Sequence, residues 1–360
     1  MIIIDSHNDS PSQMYRQRDF GVDNHHAQVD FPKMLKAGIG ASFFAMYISP
    51  SYKGADATEY AYKLIKCTED QVRANADKIA FARTAEEVEI NHSKGLTSII
   101  MALENGSAIQ EDFSIMKDFY DRGLRYITLT HSADNQIGDS CTGKGTWGGL
   151  SPFGKELIPE MNRLGMMIDV AHTSEATVYD VLERSISPVV YTHGCCKALC
   201  DHKRNLTDAQ IKAIADSQGI VGMSVYPCFL DKDFRKILDD SKLEEQMWIE
   251  DEFIADPGNP LKREAWEELQ DKLNSLVRPS VGRVVDHIDH AVEVAGIDHV
   301  GIGTDYDGIE VTPVGMENIS GLNLIFKEME RRGYKSSEIE KVAGLNWLEV
   351  MKKIAKYSIL

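Results

Sequence analysis

Short apolar runs that end on a polar residue, each followed by a segment with helical spacing, recur along the whole chain. The runs read MIIID from Met1, ASFFAMYI from Ala41, LTSIIMALE from Leu96 and RYITLTH from Arg125. They continue with MMIDVAH from Met166, PVVYTH from Pro188, GIVGMSVY from Gly219 and HVGIGTD from His299. Unbroken apolar runs of this length are what strands buried on both faces of a parallel sheet look like. Between most of them lie EYAYKLIKCTEDQVRANA, DFSIMKDFYDRG, GKELIPEMNRLG, SEATVYDVLERS and TDAQIKAIADSQG, whose apolar residues follow a helical period. Several of these close on Gly, as helix C-termini do. Eight alternations of strand and helix predict a (β/α)8 TIM-type barrel. A doubly wound open sheet is the other arrangement, but it brings a Gly-rich phosphate loop after an early strand and none is present. The long departure is 227–278, polar and carrying MWIEDEF and REAWEELQDKLNSL. It predicts a helical insertion between strands 7 and 8, on the carboxyl-end face where lids form. Residues 1–360 are otherwise expected to form one domain.

The chemistry-bearing residues fall at the ends of the runs. The first run passes into Asp5, Ser6, His7, Asn8 and Asp9, and residues two apart on a strand share a face, so His7 and Asp9 point the same way. The third run ends in Glu104, the fourth in His131, the fifth in His172, the sixth in His193 and the eighth in Asp305. In a barrel those ends converge on one face. Each alone has an ordinary explanation as a cap or a turn residue. Together they are charged and imidazole groups at buried strand ends, which are costly to bury unless paired or metal-bound. Imidazole with carboxylate suits zinc. His7, Asp9, Glu104, His172 and His193 exceed the three protein ligands of one catalytic zinc. Two Zn2+ ions per chain are therefore expected. Glu104 is expected to bridge them, since its strand lies between the two ligand groups, and a hydroxide held between the ions would be the nucleophile.

Other histidine and cysteine groups read as structural. His287 and His290 stand i, i+3 on the helix before the eighth run, on the outer ring, and His25 and His26 read as a solvated loop. THGCCKALC lacks a second C-x-x-C partner for a closed zinc site. Cys67, Cys141, Cys195, Cys196, Cys200 and Cys228 show no framework spacing and are expected as free thiols. Cys195, two residues after His193, is expected to be sensitive to oxidation.

Composition narrows the partners. The chain has 360 residues, 43% of them hydrophobic, which is ordinary for a soluble globular protein. A net charge of −17 argues against nucleic acid or an anionic membrane as partner. No apolar stretch approaches a membrane span, and the start lacks a basic segment followed by a long apolar one. A cytoplasmic location is expected.

In order and spacing, DSHNDSP, ALENG, YITLTHSADN, IDVAHTS, THGCCKAL, DHKRNLTD, VDHIDHAVEVAG and VGIGTDYDG resemble the motifs of the membrane dipeptidase (renal dipeptidase) family, in the amidohydrolase superfamily. The resemblance runs from His7 past Asp307. It implies a binuclear zinc peptidase that cleaves small dipeptides, commonly tolerates a D-residue at the carboxyl end, and forms a homodimer. It implies that His7 and Asp9 hold one zinc, that His172 and His193 hold the other, and that Glu104 bridges them. It implies that His131 polarises the scissile carbonyl, Arg204 holds the terminal carboxylate of the substrate, and Asp305 is the acid–base residue. The sequence departs from the family at Cys195 and Cys196, where small or hydroxyl residues are usual, and at Phe229, near a position that is often Tyr.

The parts fit amide hydrolysis. Two ions can activate a water and polarise a carbonyl, His131 can donate to a developing oxyanion, and Asp305 can move a proton from water to amine. Arg204 offers a planar fork for a carboxylate; the alternative is a surface ion pair within the basic run HKR. Two other readings stay open. One is another amidohydrolase, such as a deaminase or lactonase, which Glu104 in place of a strand-end Lys disfavours. The other is a non-catalytic barrel, against which the full ligand set argues.

Overall fold

Eight parallel strands close into a barrel, seen in a computed structural model that describes residues 1–256 and 258–358. Pro257, inside the expected insertion, lies outside the described residues, as do residues 359 and 360. The strands are β1 (Ile3–Asn8), β2 (Ile39–Tyr47), β3 (Ile79–Phe81), β4 (Thr97–Glu104), β5 (Leu124–Thr128), β6 (Met167–Asp169), β7 (Val189–Gly194), β8 (Ile220–Met223) and β9 (Val300–Ile302). Around the barrel the order is β2, β1, β9, β8, β7, β6, β5, β4, and β2 closes it by pairing in register with β4 from Ala41↔Ser98 to Tyr47↔Glu104. The eight runs identified from sequence are these eight strands. β3 is a ninth that the apolar pattern does not announce: it has three residues, two of them half-buried, and pairs only with the start of β4, outside the closed barrel.

The connections explain why the chain turns where it does. Helices Phe113–Arg122, Pro152–Leu164, Glu175–Arg184 and Asp208–Asp216 each begin on a side chain that accepts from the first turn: Asp112 from Ser114, Ser151 from Gly154, Ser174 from Thr177 and Thr207 from Gln210. Helix Pro152–Leu164 ends on Gly165 at φ 74, a left-handed turn that Gly adopts freely. Four helices, Pro227–Leu230, Phe234–Ser241, Trp248–Ala255 and Pro260–Asn274, fill the stretch between β8 and helix Val281–Ala295 that leads to β9. Among the described residues no helix is long and apolar enough to cross a membrane.

Inside the barrel the lower layer is apolar. Ile4, Phe43, Ile100, Met167, Val190 and Ile220 pack with Trp347 of the C-terminal helix Asn346–Ala355, which plugs the floor. Above it the bore narrows. The Ser6 hydroxyl reaches the backbone oxygens of Thr192 (2.6 Å) and Ile302 (2.9 Å), joining β1 to its neighbour β9 and, across the bore, to β7. That approach needs glycine: a Cβ on Gly303 would lie 1.8 Å from the Thr192 oxygen and 2.6 Å from the Ser6 hydroxyl. Gly303→Ala is expected to destabilise the fold by about 1–3 kcal/mol, the usual cost of overpacking a tight core. A denaturant titration with an unchanged midpoint would show that the bore is looser than this.

Candidate metal centre and active site

The carboxyl ends of the strands deliver their polar residues to one buried point. His7 lies within β1 and Asp9 just after it, Glu104 is the last residue of β4, and His193 lies within β7. His131, His172 and Asp305 each come three residues beyond a strand, not at its end as the apolar runs suggest. β6 stops at Asp169 because its carboxylate takes the amide of Ala171 (3.0 Å), turning the chain. His172 then sits at φ 64 and Asp305 at φ 70. Left-handed conformations cost a non-Gly residue energy and mark turns that the surroundings impose.

Glu104 is the hub. It is 2% exposed. One of its oxygens, Oε2, faces His7 Nε2 at 3.7 Å. The other, Oε1, faces His172 Nε2 (3.1 Å), His193 Nε2 (3.6 Å) and His131 Nε2 (3.9 Å). Asp9 Oδ2 (3.9 Å) and Asp305 Oδ1 (4.0 Å) stand on the His7 side. Three overlapping donor groups result, with their ligand atoms within 4.8 Å of one another: His7–Glu104–His193, Glu104–His131–His172 and His7–Asp9–Asp305. All seven strand-end residues singled out from sequence thus meet. The geometry also places His131 and Asp305 within these groups, beside the five residues expected to hold metal.

The donors fit divalent ions. His7 Nε2 and Asp9 Oδ1 are buried with no hydrogen-bond partner, a costly state that coordination would relieve. Burial holds His172 and His193 well below the usual imidazole range, so both are neutral. Their Nε2 atoms lie 2.9 Å apart, and two nitrogens so close call for a cation or proton between them. Burial opposes charge on His7 too, but Glu104 outweighs it, with Asp9 and Asp305 adding, and the imidazole is pushed up to about 10.

The tautomers are set from behind. Thr192 Oγ1 donates to Asp169 Oδ2 (2.7 Å) and lies 2.9 Å from His193 Nδ1. A hydroxyl has one proton, so with that proton on Asp169 it accepts from His193 Nδ1–H and leaves Nε2 a lone pair for the centre. Asp169 is fully buried and also takes Thr128 Oγ1 (2.5 Å) and the Thr192 amide (3.0 Å). In the same way Tyr126 Oη lies 2.7 Å from His7 Nδ1 and 3.3 Å from the Ser6 oxygen. Sequence reasoning missed Asp169, Thr192 and Tyr126. The available signal was an acid inside an apolar run, IDVAH.

Arg204 is not a surface residue. It is 6% exposed, with Nη1 on Tyr191 Oη (3.0 Å), Nη2 on the His193 oxygen (3.2 Å) and Nε without a partner. No carboxylate pairs with it among the described residues. It does not line the cavity over the centre; Phe229 does, 5.3 Å from the guanidinium carbon. That cavity, of about 510 Å³, has Asp9, Glu104, His131, His172 and Asp305 on its floor and Tyr47, Tyr52, Tyr60, Tyr226 and Phe229 on its walls.

Cys195 departs from expectation. It is 1% exposed, burial pushes its thiol well above the usual range, and it points at the Ser224 oxygen, so it is an inert packing residue. The six cysteines are free. His287 is structural, joining the Leu230 oxygen (3.0 Å) to the Cys196 amide (3.0 Å), and His290 pairs with Asp208 (2.8 Å). His26 is not simply solvated: its ring meets Trp266 of the insertion edge-on, with centroids 5.5 Å apart.

A closed (β/α)8 barrel with histidines and carboxylates gathered at its carboxyl-end face defines a barrel metallohydrolase. The model of the membrane dipeptidase family (peptidase family M19) matches residues 1–359, and the chain belongs to that family. An uncharacterized dipeptidase (C965.12) of Schizosaccharomyces pombe is 30% identical over 98% of this chain and 80% of its own. Dipeptidase verJ of Clonostachys rogersoniana is 27% identical over 99% and 85%. Among solved structures, a metallo peptidase from Rhodobacter sphaeroides liganded with a phosphinate mimic of the dipeptide L-Ala-D-Ala superposes with a TM-score of 0.82 at 25% identity, covering 98% of this chain and 99% of that one. Membership implies a metal cofactor and a hydrolase acting on dipeptides.

Two outcomes test the centre. Glu104→Ala is expected to lose its metal and His7→Ala to lose less of it, read as metal per chain by plasma emission; an undiminished complement in Glu104→Ala refutes a part for Glu104 in holding metal. Thr192→Val is expected to weaken metal binding about 10- to 100-fold, the scale for an outer partner of a ligand histidine, with Thr192→Ser close to the parent. Competition with a chromophoric chelator measures both.

Proposed function

We propose that the chain is a binuclear zinc dipeptidase, in which His7 and Asp9 hold one ion, His172 and His193 the other, and Glu104 both. The observation that carries this reading is the division of the Glu104 oxygens, one facing His7 and the other facing His172 and His193. Nitrogen and oxygen donors with neutral histidines suit zinc. When bound, the ions held by these residues would supply Lewis acidity toward the carbonyl and would lower the pKa of a water.

The chain's own groups do the rest. Asp305 is the acid–base residue. Burial raises its carboxyl to about 6, with the His7 charge opposing and Glu104 adding, and a value near neutrality suits a group that takes a proton from water and returns it to the leaving amine. His131, kept neutral by burial, donates a ring N–H to the oxygen on which charge develops. Arg204, whose guanidinium lies behind Phe229 of the cavity wall, is assigned the terminal carboxylate of the substrate, its unpartnered Nε being a buried donor that wants an acceptor. Acceptance of a D-residue at the carboxyl end is proposed from the likeness to the Rhodobacter sphaeroides metallo peptidase, whose bound mimic carries one. A matrix of L-L and L-D dipeptides with zinc added tests the reading, and no hydrolysis of any of them refutes it in favour of another amidohydrolase activity.

Asp305→Asn is expected to keep its metal and lose about 10² or more in kcat, the scale of a missing general acid–base group. Loss of metal instead would make Asp305 a ligand, as its place beside His7 and Asp9 also allows. Arg204→Met is expected to cost about ten- to a hundredfold in kcat/KM on a free dipeptide, the worth of a charged hydrogen bond, and little more on the dipeptide amide. Equal turnover of acid and amide by the parent enzyme would remove the clamp.

A further inference from the structure

The active-site cavity does not end at its own wall. A smaller chamber of about 170 Å³ lies beside it, and Gln13, Arg16, Asp307, Gly308, Ile309 and Glu310 line both spaces. Trp266 and Glu250 of the insertion form the far side of the chamber. Of the charges on the shared strip, Asp307 is taken by Arg18 (2.8 Å) and the Ser10 hydroxyl (2.8 Å). Arg16 leans outward, 3.3 Å from Asp251, with two-fifths of its side chain exposed. Glu310 is different. Among the described residues it has no ion pair, and its single side-chain donor is the Tyr226 hydroxyl, 2.6 Å from Oε1. Gln13, 4% exposed, adds an amide oxygen with no partner.

A half-buried carboxylate served by a neutral hydroxyl and its own backbone N–H carries no compensating charge, and its complement is a cationic donor. Every dipeptide carries an α-ammonium, but that group sits one carbon from the scissile carbonyl, against the floor carboxylates. Glu310 stands off from the floor: the charges that bear on it most are those of Glu244 and Arg235 in the insertion. A longer group is needed to reach it. The cavity wall also suits such a group, since Tyr52 and Tyr60 stack with centroids 4.5 Å apart and offer aromatic surface to a methylene stem and a cation.

We propose that Glu310 makes the enzyme selective for dipeptides with a basic side chain, whose ammonium or guanidinium it receives at the mouth of the adjoining chamber. This rests on the dipeptidase reading above. The test compares kcat/KM for Lys-Ala, Ala-Lys and Ala-Ala in the parent and in Glu310→Gln, an isostere that still accepts from Tyr226. The parent is expected to favour one of the lysine dipeptides over Ala-Ala by tenfold or more, and Glu310→Gln to shrink that ratio by about ten- to a hundredfold, as for a charged hydrogen bond. Which lysine dipeptide responds identifies the position read. Glu310→Arg is expected to move the preference toward a glutamate-containing dipeptide. Loss by the same factor on all three substrates would overturn the proposal in favour of a framework or α-ammonium role, and an unchanged ratio would overturn it outright. Binding of phosphinate dipeptide mimics with and without a lysine side chain, followed by calorimetry on the zinc-loaded parent and Glu310→Gln, reads the same preference without turnover. An enzyme that binds the lysine mimic through Glu310 yet hydrolyses no dipeptide would refute the reaction and keep the specificity. No preference between mimics would refute the specificity whatever the reaction.

Discussion

A carboxylate buried among four imidazoles is the constraint from which the rest of this structure follows. Glu104 has nitrogens of His7, His131, His172 and His193 within 4 Å of its oxygens. Taking that charge out of water is affordable only if its neighbours are held in fixed orientation and carry compensating charge. Five strands, β1, β4, β5, β6 and β7, must therefore end at one place. β2 meeting β4 in register from Ala41↔Ser98 onward fixes the height of Glu104, and the left-handed turns at His172 and Asp305 fold side chains inward that a straight strand would carry past the centre.

The support is layered. Phe43 stacks on Tyr126 at 5.5 Å and leans on Trp347 at 6.0 Å, so the dry floor of the barrel sets the position of the Tyr126 hydroxyl and, through it, of His7. On the opposite wall Asp169 gathers Thr128, Thr192 and two backbone amides and so sets His193. His7 and His193 are each oriented by a group that is itself locked by packing, which is how a site keeps sub-ångström precision. The Ser6 hydroxyl does comparable work for the backbone, tying β1 to β7 across the bore where glycine leaves room.

What the sequence made legible is what depends on local pattern. Apolar runs are strands because burial on both faces demands them, and the polar residues at or just past their ends converge because parallel strands in a barrel share a direction. His7, Glu104 and His193 could be placed that way. What depends on partners distant in sequence could not. β3 is too short to show a period. Arg204 sits in HKR, a run that looks solvated, and only the tertiary structure shows its side chain turned inward onto Tyr191 and the His193 oxygen. Cys195 looks exposed to chemistry beside His193, yet strand packing seals it. Asp169 reads as one polar letter in an apolar word, and its role emerges only when Thr192, from the next strand, reaches it.

The same distinction separates reaction from selection. The groups that would act on an amide stand on strands or on turns pinned to them, where hydrogen bonds from neighbouring strands fix their geometry. The groups that would choose among amides stand on the segments that connect the strands: Tyr226 and Phe229 where the insertion begins, Gln13 and Arg16 in and after the short helix that follows β1, Glu310 after β9. Such a residue is free to change without disturbing the metal ligands, since it shares no hydrogen bond with them. Its chemistry is therefore particular to this chain, and a likeness of fold and ligands to other dipeptidases says little about it. Glu310 shows this. Its position in the barrel is ordinary, and only its partial burial, its neutral side-chain donor and the space beside it give it a meaning that the strand-end residues do not share.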